Sequence, residues 1–461
     1  MNPPATPSSD SDSASTSPVD LLSHGRPRNE RSGLNVLYLC HRIPYPPDKG
    51  DKIRAFHQIR FLARRNRVHL LTLADGAVPD LGPLQELCER VEVFPVHRPA
   101  AYLRAALGAL RPRPLTLSFF DSAALRRRVE ELAAKERFDV IVAYSSSMAP
   151  YVEPFAGVPA VLDMVDVDSA KWEQYSRFAA PLLRPVYALE AKRLRAYEAS
   201  LAERFERIVL ATANELRLYE SFAPGARAVA VPNGVDFEYF QPLDLPKAEK
   251  PLLVFTGQMD YFANVDGVTF FARDVFPRLR QRFPEAELVI VGRSPVPAVR
   301  ALGELPGISV TGAVGDIRPF LARAWAFVAP LRIAQGVQNK VLEAMAMNVP
   351  VVCSDRVLAG LAEGGFRHDR DLLAADCSSD NAESFAGCVA TLLESAETRA
   401  RLAEGARQRL GLSYRWSTNL DRFEEILAAA SQPQPPGGKL RSEEGRSSLD
   451  DTAVREGARS A

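Results

Sequence analysis

Residues 329–350 read APLRIAQGVQNKVLEAMAMNVP, and this stretch decides the fold. Trp325–Ala329 is a short apolar run of the kind that forms a buried parallel strand. A loop with one cation, Arg332, follows, and Gly336 opens VQNKVLEAMAM, which has no internal Gly or Pro and is rich in good helix formers. Val337, Val341, Ala344 and Met345 fall at i, i+4, i+7 and i+8 and predict one core-facing stripe. Asn348 suits a left-handed residue after the helix, Pro350 forbids continuation, and Val349–Cys353 reads as the next strand. The unit is strand, loop, helix, strand. Its helix start and two cations, Arg332 and Lys340, lie beyond the carboxyl end of a strand, where open α/β sheets bind anions.

The same pattern repeats outward in both directions. Strands are predicted at Leu34–Cys40, Val68–Leu73, Val91–Val96, Phe138–Ala143, Ala160–Asp163, Arg207–Ala211 and Ala228–Val231. After the Pro232-Asn233-Gly234 turn and a Pro- and charge-bearing connector, they resume at Leu252–Thr256, Glu287–Val291, Ile308–Thr311, Ala326–Ala329 and Val351–Cys353. Helices are expected at Lys52–Arg65, at Ser169–Arg204 with breaks near Pro181 and Pro185, and at Val265–Arg282; Asn381–Ala430 is helical. Repeated βα units imply an α/β fold of two doubly wound, mainly parallel sheets facing a ligand cleft. The organisation expected is a tail to residue 33, an N-terminal domain at 34–232, a C-terminal domain at 233–414, a helix at 415–430 crossing back to the N-terminal domain, and a second tail at 431–461.

Composition removes several function classes. Lys+Arg and Asp+Glu are 57 each among 461 residues, which argues against a dedicated nucleic-acid binder. The five cysteines form no CxxC pair and suit a reducing cytoplasm better than a disulfide framework or zinc site; Cys40 and Cys353 sit in apolar runs and read as buried thiols. No apolar run approaches the ~20 residues of a membrane span, and the Ser/Pro-rich N-terminus has no apolar core of a secretory signal.

Four stretches, PNGVDFEYF at 232–240, FTGQMDYFANVDGV at 255–268, TGAVGDIRPFLARA at 311–324 and PLRIAQGVQNKVLEAMAMNVPVV at 330–352, together resemble the GT-B glycosyltransferases, in particular the retaining group 1 enzymes known as family 4. HRIPYPPDKGDKIRAFHQIRFLA at 41–63 and VLDMVDVDSAKW at 161–172 are similar to the sugar transferases of PEP-CTERM/exosortase-type exopolysaccharide loci. The resemblance implies a nucleotide-diphosphate sugar as donor substrate, no other cofactor, no metal, and an exopolysaccharide or lipid-linked glycan acceptor. It puts Arg332 and Lys340 on the departing diphosphate, with the backbone N–H groups of Gly336 and Val337 adding to them, and Glu343 on the ribose hydroxyls.

The chain departs from the family pattern at several places. Gln335 stands where the first acid of the E-x7-E pattern is usual, and is expected to meet the donor sugar without bringing a charge. Gln258 follows Gly257 where many relatives have Arg, and Asn264 lies where a Lys often follows. Gly312 falls on the same donor side. On the acceptor side the resemblance points to Gly50, Lys52, Arg54 and Asp166, with Val165 in place of a His. The plainer readings are a solvated Arg332, a Lys340–Glu343 pair at i,i+3 on a helix surface, a helix cap at Asp168 rather than a metal-binding Asp166-Val167-Asp168, and structural roles for His41 and His57.

The basic, Leu- and Tyr-bearing stretch at 98–113 and the run Lys192–Arg195 fit either packed helices or peripheral contact with an anionic membrane, which would place the protein at the inner face of the cytoplasmic membrane. Two other functions fit parts of the pattern: a catalytically weak nucleotide-sugar-binding scaffold of a polysaccharide-assembly complex, and a nucleotide-sugar 2-epimerase, against which PNGVD and LEAMA argue.

Overall fold

The computed structural model describes residues 33–432 apart from 48, 49, 75, 77–79, 98, 100, 102, 103, 105–112, 179, 180, 335 and 378–380. Most of both expected tails, most of the 98–113 stretch, and Gln335 therefore lie outside the described residues.

Two parallel sheets form the scaffold. The first holds β1 (Asn35–Cys40), β2 (Arg67–Ala74), β3 (Arg90–Pro95), β4 (Val140–Tyr144), β5 (Ala160–Val165), β6 (Arg207–Leu210) and β7 (Ala228–Ala230), in the order β3-β2-β1-β4-β5-β6-β7. The second holds β8 (Leu252–Thr256), β9 (Glu287–Val291), β10 (Ile308–Gly312), β11 (Ala326–Ala329), β12 (Val351–Ser354) and β13 (Leu373–Ala375), in the order β10-β9-β8-β11-β12-β13. Most of these strands are apolar throughout because helices cover both sheet faces, and LLVFT and AFVA are buried at every position. Each sheet reverses its winding once, between β1 and β4 and between β8 and β11. The carboxyl ends at such a reversal leave a crevice that no crossover helix covers.

Six helices position the site: α1 (Gly50–Leu62), α2 (Asp168–Phe178), α3 (Arg184–Ser200), α4 (Phe262–Phe270), α5 (Asn339–Ala346) and α6 (Trp416–Ser431). The charged segment expected at Ser169–Arg204 is two helices, with Pro181 between them and Pro185 in the first turn of the second, where its missing N–H breaks no hydrogen bond. The helix expected over Val265–Arg282 is likewise interrupted. A π turn at Phe271–Val275 separates α4 from Phe276–Arg282, and Pro277 at the start of the second piece has no N–H to continue the ladder.

α6 begins beside the C-terminal sheet and packs on the N-terminal one. Its Leu420, Phe423 and Leu427 join the core formed with α1, and burying each contributes about 1.5–3 kcal/mol. Where it crosses, Val235 N–H donates to the Tyr414 carbonyl at 2.9 Å, so both connections between the sheets run side by side. Gly234 is required there, since a Cβ would lie 2.6 Å from the Trp416 nitrogen. His57 stacks on Trp416 with ring centroids 4.7 Å apart, and burial pushes its pKa down to about 4. It is a neutral packing residue.

Candidate active site

Construction of the site starts at the β8/β11 reversal. Gly257 follows β8, and a Cβ there would lie 2.8 Å from Asn264 Nδ2 and 3.1 Å from Lys340 Nζ. The bare backbone thus lets α4 and α5 converge on the strand end. Asn264, on α4 and 5% exposed, donates through Nδ2 to the Gln258 carbonyl at 2.8 Å and accepts from Lys340 Nζ through Oδ1. Lys340 also sits 4.7 Å from the Phe255 ring centroid. Gln258, which replaces an expected arginine, contributes its carbonyl, and Asn264 orients the lysine that remains.

Lys340 is half-buried, and burial pushes its pKa down to about 7 against the opposing pull of Glu343. Glu343, one turn further along α5, is pushed up to about 7 by burial, offset in part by Lys340. Both charges are held in a poorly solvated place, where an anionic ligand would restore the ammonium. Nearby, the Tyr239 ring lies 3.9 Å under the Arg318 guanidinium, and its phenol pKa is raised by burial, by Asp316 and, more distantly, by Glu343.

Helix α5 begins at Asn339, three residues later than the sequence suggests. Gly336 and Val337 are therefore in the preceding loop, and the first helical N–H groups belong to Asn339, Lys340 and Val341. The cause is Gly336, whose φ of 62° lies in the left-handed region and turns the chain before the helix can start. The C-terminal end is as expected: Asn348 has φ of 56°, and Val349 N–H donates to the Ala344 carbonyl at 3.0 Å. Val341, Ala344 and Met345 are fully buried.

Arg332 does not join Lys340. It makes a two-point pair with Asp266 of α4, through Nε to Oδ2 at 2.9 Å and through Nη2 to Oδ1. Its charge is thus balanced within the domain. Gly312 lies two strands away on the same carboxyl edge, and its carbonyl accepts from Gly292 N–H at 3.1 Å.

Gly292 directly follows β9. A Cβ on it would fall 1.7 Å from the Gly257 carbonyl oxygen. Gly292→Ala is accordingly expected to part β8 from β9 at the site, destabilising the C-terminal domain by about 2–3 kcal/mol and weakening nucleotide affinity. Urea unfolding and calorimetric titration with nucleoside diphosphates would measure both. Unchanged values would show that the Gly257 carbonyl moves aside without cost.

The N-terminal domain meets this edge closely. A Cβ on Gly50, the first residue of α1, would lie 3.8 Å from Asn339 Nδ2, so the N-termini of α1 and α5 face each other across the cleft. Asn233 Nδ2 donates to Asn339 Oδ1 at 3.3 Å. Asp166 Oδ1 lies 3.3 Å from where a Gly336 Cβ would be. Asn339 is the contact residue missing from the sequence reading. Its place directly before Lys340 in a helix start was the available signal.

Asp166 is held from below. Val165 precedes it with φ of 66°, a strained conformation for a β-branched residue. Glu215 accepts from Val167 N–H at 2.6 Å, and Glu198 accepts from Ser169 N–H at 3.1 Å. Asp166 and Asp168 both turn to Lys171, at 2.8 and 3.2 Å. Asp168 is thus the first residue of α2 rather than a side-chain cap.

Arg54 requires a correction. It is 1% exposed, with Nε 2.8 Å from Asp163 Oδ2 and Nη1 donating to the Val231 carbonyl and Asn233 Oδ1 at 2.8 and 2.9 Å. It ties β5 to the interdomain connection from inside the core and does not reach an acceptor. Helical spacing alone could not reveal this, because α1 is covered by α6 from the far end of the chain. Lys52, two residues into the same helix, stays half-buried near the cleft. Beside it Asp51 is held well below the usual carboxylate range, since hydrogen bonds and charge from His41 and Arg42 outweigh its burial.

Comparisons with known proteins bear on the family and the fold. Residues 250–395 match the family model for glycosyl transferases, group 1. The matched stretch is about a third of the chain. It holds β8–β13, Lys340 and Glu343. The phosphatidyl-myo-inositol mannosyltransferase of Mycolicibacterium smegmatis is 28% identical over 268 residues, 54% of this chain and 66% of that protein. A GDP-mannose-dependent mannosyltransferase of Mycobacterium tuberculosis is 26% identical over 46% of this chain and 58% of its own length. A third or more of each relative is thus unmatched. In three dimensions, Anabaena HepE in complex with UDP-glucose superposes with a TM-score of 0.62 at 15% identity, covering 86% of this chain and all of that one. Sucrose-phosphate synthase of Thermosynechococcus elongatus gives 0.63, also at 15% identity, over 86% and 98%. At such identities the likeness establishes the two-domain GT-B fold.

Proposed function

We propose that this protein transfers a sugar, with retention of anomeric configuration, from a nucleotide-diphosphate donor to an exopolysaccharide or lipid-linked glycan acceptor at the inner face of the cytoplasmic membrane. The observation that carries the reading is the placement of Lys340 and Glu343 at the β8/β11 reversal, opposite the N-terminus of α1. Two helix N-termini facing each other are mutually unfavourable until an anion lies between them. A diphosphate supplies that anion, and the relatives include a GDP-mannose-dependent enzyme.

In this reading Lys340 binds the diphosphate and stabilises the charge that grows on it as the bond from the sugar C1 breaks. Glu343 accepts hydrogen bonds from the ribose hydroxyls. The acceptor oxygen forms the new bond to C1 on the face the diphosphate leaves, and its proton passes to the departing phosphate oxygen. No covalent sugar–enzyme intermediate is needed. Gly50 and Asp166 lie on the acceptor side, and Gln335 is assigned to the donor sugar. A donor screen that follows nucleotide-diphosphate release, with NMR of the product's anomeric configuration, tests the reading. An inverted product would overturn retention. Retained nucleotide binding without release from any common donor would favour the scaffold alternative, which the balanced charge of Arg332 supports.

The pH dependence of binding follows from Lys340. Above about 7 the free protein holds this lysine neutral, whereas a diphosphate binds its protonated form. Binding therefore takes up a proton, and affinity is expected to fall by up to about tenfold per pH unit above that point. Calorimetry with UDP and GDP in buffers of different ionisation enthalpy would show the uptake. A profile as flat as that of Lys340→Ala would rule it out.

A further inference from the structure

The hairpin of α2 and α3 ends in apolar side chains left in water. Leu182 is 89% exposed, Leu183 46%, Val186 42% and Leu189 41%. Other large apolar side chains among the described residues are also exposed, Leu245, Tyr261, Phe262, Leu305 and Leu412, but these four lie within eight residues of one hairpin, and an exposed apolar group of this kind marks a surface that something covers. Arg184 and Lys192, also exposed, flank it.

The same helix leads from the apolar tip to a cationic pocket. At about 100° per residue, positions 186, 189, 193, 196 and 197 fall within a ~100° arc of α3. Val186 and Leu189 are the exposed upper part of that face. Arg193, Ala196 and Tyr197 are its lower part, and with Arg113, Arg126 and Arg204 they line a surface pocket of ≈ 680 Å³. Arg204 pairs with Glu153 at 2.8 Å, while Arg113 and Arg126 share Asp121 at 3.3 and 2.8 Å. Arg113, Arg126 and Arg204 thus meet two carboxylates, Glu153 and Asp121, in a chain whose formal net charge is zero.

We propose that this face docks on an anionic lipid bilayer, with the Leu182–Leu189 tip among the acyl chains and the arginine pocket holding a headgroup phosphate. The spacing suits it. From Val186 to Arg193 the helix rises about 10 Å, close to the ~5–10 Å to which interfacial helices bury their apolar face. A protein partner or a second copy of this chain would have to present an apolar patch and an anionic group such as a carboxylate at that same separation. A bilayer supplies both at that separation. The inference deepens the membrane contact proposed above and rests on that part of the reading, not on sugar transfer.

The test uses the full chain with vesicles of phosphatidylcholine alone and of phosphatidylcholine mixed with phosphatidylglycerol, with UDP affinity measured in parallel. Binding is expected on the mixed vesicles only. The exposed double variant L182D/L183D should weaken it about tenfold or more, and Arg126→Ala with Arg204→Ala by about fivefold per charge, with UDP affinity unchanged. Equal binding to both vesicles, or undiminished binding by L182D/L183D, overturns the proposal. So does a dimer that L182D/L183D abolishes in a protein that binds no vesicle. Intact UDP affinity without vesicle binding ends the docking surface and leaves the transfer reading standing. Vesicle binding by a protein that binds neither UDP nor GDP supports the surface and ends the transfer reading.

Discussion

Lys340→Ala is expected to lower kcat/KM for sugar transfer by about 10²–10³-fold, the loss seen when one preorganised donor to a developing anion is removed. The reason is position as well as charge. Gly257 has no side chain to block the lysine, Asn264 fixes the ammonium by a hydrogen bond, and Phe255 lies beneath it. Arg332 cannot substitute, because Asp266 already occupies its guanidinium. Burial disfavours the charged form of Lys340, so its removal relieves a cost in the free protein. The thermal midpoint should therefore stay the same or rise while turnover collapses. Nucleotide-diphosphate release and a thermal melt on the same preparation check both. Turnover within threefold of the parent would sink the site assignment.

Arg54→Ala is expected to do the reverse, destabilising the N-terminal domain by about 3–5 kcal/mol, because Asp163 would be left buried without its cation. Asp163 is fully buried and would keep, among the described residues, only the Gln58 amide at 2.5 Å and the Val165 N–H at 3.0 Å. Arg54 Nη2 has no hydrogen-bond partner among the described residues, so the pair is not fully compensated even in the parent. Replacing Arg54 and Asp163 together with apolar residues should consequently cost less than Arg54→Ala alone. Urea unfolding of the three proteins, read by far-UV circular dichroism, makes the comparison. A change in acceptor KM with unaltered stability would instead return Arg54 to the acceptor side.

Much of the fold was legible because parallel strands buried on both faces leave continuous apolar runs, which the sequence shows plainly. The end of α5 was equally legible, since Asn348 and Pro350 act locally. The start of α5 was not. Gly336 was read as opening the helix, but its left-handed backbone delays the first helical turn to Asn339. The long helix over Val265–Arg282 hid its π turn for a similar reason: the pattern of apolar residues continues across the place where the hydrogen-bond ladder does not.

The residue types at the site were also local information. A lysine and a glutamate three apart on a helix after a buried strand were visible at once, as was their likeness to a donor site. Which cations remain available to a ligand depended on partners distant in the chain. Asp266 claims Arg332 from 66 residues away, Asp163 claims Arg54 from 109 away, and Asn264 turns Lys340 toward the cleft from 76 away. Side-chain charge is written in the sequence. Whether that charge is spent inside the core or left facing the cleft is fixed only when the two sheets, α4 and α6 pack, because pairing and desolvation are properties of neighbours in space. The sequence by itself determined two doubly wound sheets and a candidate anion site at the end of one of them. The tertiary structure decided that Asp266 and Asp163 take up Arg332 and Arg54, and that Lys340 stands on α5 at the β8/β11 reversal beside Asn264.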